Sequence, residues 1–83
     1  MTGDNITAKM DGLEFKIALE LRKEMIPILE HMDSISTIKD EEVLNISKLY
    51  ITGEEGNYKV EMKYETPRSY HTKKCSLEEF YKL

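Results

Sequence analysis

The chain has 83 residues, 40% of them hydrophobic and 34% charged, with a formal charge of −4. That length supports one domain with a modest core, and a deep enclosed active site would compete with the core for the same few apolar side chains. The balanced composition argues against wholesale disorder, and the longest apolar runs, only a few residues, exclude a bilayer-spanning helix.

Met1, Thr2, Gly3, Asp4 and Asn5 supply neither the basic nor the apolar region of a secretory leader, and Cys75 is the lone cysteine. A cytoplasmic protein in a reducing compartment is expected. Charge is unevenly placed: through Gly56 acids outnumber bases 12 to 6, and from Asn57 onward bases outnumber acids 6 to 4. Such asymmetry can steer a partner but does not bear on the fold.

Residues 1–9 are small and polar and are expected to be mobile. Asp11, Gly12, Leu13, Glu14 then has the form of a helix capping box, with Met10 and Phe15 placed as a hydrophobic staple. Ile17, Ala18, Leu21, Met25, Ile28, Leu29 and Met32 follow at the spacing of one helical face. This pattern predicts a long amphipathic helix over 11–32, kinked or broken near Met25 because Pro27 cannot donate to the carbonyl of Lys23. A competing pattern is present. Ile6, Ala8, Met10 and Leu13, Phe15, Ile17 alternate about Asp11-Gly12, a pair suited to a two-residue hairpin turn. The helical stripe runs for more turns than the alternation, and on that ground the helix is preferred.

Residues 33–40 have the composition of a connection, and 40–44 that of one helical turn with acids at its positive end. A hairpin is predicted about 53–56, with Ile51 facing Tyr58, Leu49 facing Val60 and Ser47 facing Met62, and with Tyr50 beside Lys59 and Lys48 beside Glu61 on the other side. Thr66, Pro67, Arg68, Ser69 ends the second strand, residues 70–75 return as a third, and a second capping box at Ser76 to Glu79 starts a short terminal helix. The expected architecture is a single α+β domain over 1–83: a long N-terminal helix packed on an antiparallel sheet of two or three strands, with a short C-terminal helix.

Catalytic patterns are weak. On a strand His71 and Cys75 lie about 13 Å apart, too far for a nucleophile and its base. A metal site from His71, Cys75, His31 and Glu30 would lack the close Cys or His pair that structural zinc prefers, and Gly53 and Gly56 lack the Lys-Ser/Thr of a phosphate loop. No catalytic residue, metal or cofactor is expected. Two binding functions remain. The first is a small acidic non-enzymatic protein-binding module, an inhibitor, antitoxin-like partner or regulatory subunit, using Glu41, Glu42, Tyr50, Glu54 and Glu55 against a basic protein. The alternative is nucleic-acid binding by the basic and aromatic segment 67–74 through Arg68, Tyr70, Lys73 and Lys74. Phe15, Leu19 and Ile26, which share a strip of the predicted helix, offer a surface for a homodimer.

Overall fold

Asp11 and Gly12 decide the first third of the chain. Their φ angles of 49° and 85° are the two left-handed positions that a type I′ hairpin turn requires. Asn5–Met10 (β1) accordingly folds back antiparallel on Leu13–Ala18 (β2), with Met10 opposite Leu13 and Asn5 opposite Ala18. The computed structural model describes residues 4–83. Of the segment predicted to be mobile, residues 1–3 lie outside the described residues, and residues 5–9 belong to β1.

The long helix predicted over 11–32 does not form. Leu13, Phe15 and Ile17 fit a period of two as well as one of 3.6, and β2 is claimed from both sides, by β1 and by a parallel partner far along the chain. Pairing on two edges plus burial of all three side chains outweighs a local capping pattern. What remains of the stripe is a 3-10 helix, Leu19–Glu24, followed by α1, Met25–Ser34. The boundary falls at Met25, and Pro27 occupies the first turn of α1, where its missing N–H would have had no partner anyway.

Thr37–Ile38 (β3) and Glu41–Glu42 (β4) form a two-stranded ribbon in place of the helical turn predicted at 40–44. Lys39 and Asp40, at φ 52° and 65°, make its turn. Asn45–Glu54 (β5), Asn57–Glu65 (β6) and Tyr70–Ser76 (β7) complete a five-stranded mixed sheet in the order β1-β2-β5-β6-β7, where two or three strands were predicted. β2 and β5 are parallel, so α1 serves as the crossover between them.

The β5–β6 hairpin is present with its register two residues from the predicted one: Ile51 faces Val60, Leu49 faces Met62, and Tyr50 faces Glu61. From Lys48 to Glu54 a shift of two leaves each side chain on its own face but changes its neighbours, whereas Ser47, predicted to face Met62, falls in a bulge and has no partner in the ladder. Gly53 is the cause of the shift: it lies inside β5, opposite Tyr58, and only the Glu55-Gly56 pair turns. At φ 122°, a Cβ on Gly53 would sit 2.6 Å from the Asn57 carbonyl oxygen.

One face of the sheet carries the core. Phe15, Ile17, Leu49, Ile51, Val60 and Met62 are at most 1% exposed and pack with Ile28 of α1 and Phe80 of Leu77–Tyr81 (α2). The capping box that opens α2 is complete: the Glu79 amide donates to Ser76 Oγ and the Ser76 amide donates to Glu79 Oε1, both at 3.2 Å. These bonds hold the Glu79 carboxyl below its ordinary pKa, with nearby Lys73 and Lys82 assisting. His31 Nε2 donates to the Phe80 carbonyl at 2.7 Å and ties the two helices together. Among the described residues no helix is long and apolar enough to cross a membrane.

Candidate functional site

Both helices lie over one side of the sheet, so alternation along the strands sends every second side chain to an open face. Two rows cross it. One runs Thr7, Lys16, Tyr50, Glu61, Lys74, and the next runs Lys9, Glu14, Lys48, Lys63, Thr72. Lys59 stands one step further along β6, opposite Thr52. The face holds six lysines against Glu14, Glu61, Glu65 and, at the hairpin tip, Glu54, so it is positive in a protein of charge −4. Off this face acids outnumber bases 12 to 6.

Tyr50 occupies the middle of β5, with the Lys16 and Lys48 ammonium groups each 5.9 Å from its ring centroid. Exposed contacts of this kind are worth only about 0.5–1 kcal/mol, so the lysines are lightly held. Glu14 takes Lys48 at 3.8 Å and Lys9 at 4.0 Å, and Glu61 takes Lys74 at 3.6 Å. Among the described residues Lys59 and Lys63 have no ion pair within 4.0 Å.

A second feature lies at the other end of the core. A cleft of about 410 Å³ opens between the β1–β2 turn, the end of α1 and the start of β5. Met10, Leu29, Met32, Val43, Leu44 and Ile46 give it an apolar wall, with Leu44 53% and Met10 41% exposed. Asp11 and Asp33 stand in its lining.

The residues predicted for protein binding are not brought together. Glu41 and Glu42 are on β4, Tyr50 is at the centre of the open face, and Glu54 and Glu55 are at the hairpin tip, about 13 Å from Tyr50 along the strand by rise per residue. Glu41 faces His71 Nε2 at 3.4 Å. In the alternative set Tyr70, 79% exposed, and Lys74 point to the open face, Lys73 points to the opposite one, and Arg68 lies in the β6–β7 connection. Phe15, Leu19 and Ile26 share no strip, because the helix that would have aligned them is absent: Phe15 is fully buried, whereas Leu19 and Ile26 are exposed in different helical segments.

His71 and Cys75 are four residues apart on one strand. His71 Nε2 is 3.1 Å from Thr66 Oγ1, its ring stacks on Tyr64, and burial raises the Cys75 thiol above its ordinary pKa. Among the described residues no group of three or more His, Cys, Asp or Glu side chains is placed to hold a metal ion. Sequence reasoning singled out Tyr50 and Lys74 as binding residues and set Lys59 beside Tyr50 and Lys48 beside Glu61, but it did not gather Lys16, Lys48, Lys59 and Lys63 into one basic face. The available signal was the lysine alternation opposite buried positions, read across strands.

Compared with protein-family models, curated proteins and solved structures, the chain matches none.

Proposed function

We propose that this protein is a non-enzymatic protein-binding module, and that the cleft between α1 and the β1–β2 turn receives a basic peptide segment with an apolar anchor. The observation that supports this reading is the cleft's chemistry: six apolar side chains left partly open to water, two of them methionines, with carboxylates in the lining. Apolar side chains gathered round one concavity beside carboxylates suit an apolar anchor flanked by basic residues. Methionine suits such a site because its unbranched thioether adapts to different partners. The excess of acids off the open sheet face supplies the charge complementarity: it would steer a basic segment towards this end and repel an acidic one.

The methionines provide the test. With methyl groups isotopically labelled, Met10 and Met32 report from the cleft and fully buried Met62 serves as the internal control. Two peptides sharing one apolar core, flanked by lysines in one and glutamates in the other, are titrated in. The expected result is that only the lysine-flanked peptide shifts the Met10 and Met32 resonances, and that Leu44→Asp abolishes the response. Equal response to both peptides, or none to either at millimolar concentration, refutes the proposal.

A further inference from the structure

Lys48 and Lys63 are direct cross-strand partners on the open face. Like charges in that position destabilise a sheet, and the register two residues away would have put Lys48 beside Glu61 instead. A bulge between Ile46 and Lys48 accompanies the observed pairing. Bulges re-aim side chains and are features of working surfaces, and a local rule broken in an otherwise consistent fold points to function. Glu14 relieves Lys48 in part, at 3.8 Å, whereas Lys63 has no ion-pair partner among the described residues.

Tyr50 lies two residues along β5 from this couple, in the next pair on the same face, and shallow depressions flank it on both sides. One is lined by Thr52, Lys59, Glu61 and Lys74, and the other by Thr7, Lys9, Glu14 and Lys16. Glu61, the cross-strand partner of Tyr50, is occupied by Lys74 at 3.6 Å.

The geometry points to a second binding site, independent of the cleft: the open face of the sheet holds a short single-stranded nucleic acid, with Lys48 and Lys63 on its phosphates and Tyr50 under one of its bases. A phosphate between the two lysines removes their mutual repulsion. An unstacked base takes the ring face of Tyr50 and frees Lys16 and Lys48 for neighbouring phosphates, an exchange that is easy because their hold on the ring is weak. Duplex DNA or RNA offers phosphates but no free base face, and an acidic protein offers neither phosphates nor bases. The single strand is therefore the ligand that uses both halves of the site.

The test is fluorescence anisotropy with labelled mixed-sequence single-stranded RNA of about twelve nucleotides, within the span of a small sheet platform. With Lys16, Lys48, Lys59 and Lys63 on phosphates, the log–log salt slope is expected near about −3, which is about a 50-fold loss of affinity between 50 and 200 mM salt. Tyr50→Ala is expected to weaken binding about 5- to 100-fold, and Tyr50→Phe to leave it near wild type. Lys63→Glu separates function from folding: it is expected to raise the urea midpoint, by replacing a like-charge pair with an opposite one, while weakening RNA binding at least tenfold. Salt-independent binding, no binding at 50 mM salt, or equal binding of a duplex or polyglutamate would each overturn the site.

Discussion

Truncation of Phe15 separates the strand from the helix more sharply than any other single change. Phe15 is 0% exposed at the centre of β2, facing Leu49 across the parallel pair and Ala8 across the hairpin. A phenylalanine ring buries at least ~150 Å², which at ~25 cal/mol per Å² is about 4 kcal/mol of transfer free energy. Residual burial in the unfolded chain lowers this somewhat and the cavity left behind raises it, so Phe15→Ala is expected to cost about 3–5 kcal/mol. A domain of this size is stable by only about 5–10 kcal/mol, so the loss is a large fraction of the whole. Lys16→Ala, one residue along and on the open face, is expected to change stability by less than about 0.5 kcal/mol. Urea denaturation followed by circular dichroism measures both. A cost below about 1 kcal/mol for Phe15→Ala would refute the burial of β2, since on the predicted helix Phe15 lies outside the main apolar stripe.

Other expectations follow from single positions. Gly53→Ala meets the Asn57 carbonyl at 2.6 Å in a left-handed backbone and is expected to cost about 2 kcal/mol or more, whereas Gly12→Ala, with no atom within 4 Å, carries only the backbone penalty of about 1 kcal/mol; urea midpoints of the two variants give the comparison. Ser76→Ala removes the N-cap of α2 and is expected to cost about 1 kcal/mol, with faster amide exchange confined to the terminal helix. The Tyr58 hydroxyl donates to Glu20 Oε2 at 2.8 Å, and that bond, with burial and the charge of Glu20 behind it, pushes its pKa up to about 12. Because the folded pKa is raised, the stabilisation is complete below pH 10 and is lost as pH rises from 10 to about 12. Burial also raises Tyr64 and Tyr81, so phenolate absorbance should show a late-titrating component from which Glu20→Gln removes the share of Tyr58 and brings it back towards 10.

The parts of the fold written in local sequence were legible. Ser76 and Glu79 form the capping box that their spacing predicts, and the alternation from Lys48 to Met62 gives a hairpin with the expected faces. Its register was not legible, because Gly53 is shaped for a turn yet lies within the strand. The first third was misread for a physical reason: Leu13, Phe15 and Ile17 satisfy two periods at once, and the deciding partner, β5, begins more than 25 residues after β2 ends. The same non-locality hid both surfaces. The cleft draws its wall from β1, α1, β5 and the residues just before β5, and the basic face collects lysines that alternation scatters over all five strands.

Both surfaces require β2 to run between β1 and β5, since that placement puts Lys16 beside Tyr50 and Leu13 behind the cleft. Nuclear Overhauser contacts in a labelled sample test it directly. Cross-strand contacts are expected between the backbones of Phe15 and Leu49 and of Ile17 and Ile51, in parallel register. A run of sequential helical contacts from Leu13 to Leu21, with no contact to β5, would contradict the strand placement and remove the basis of both binding sites.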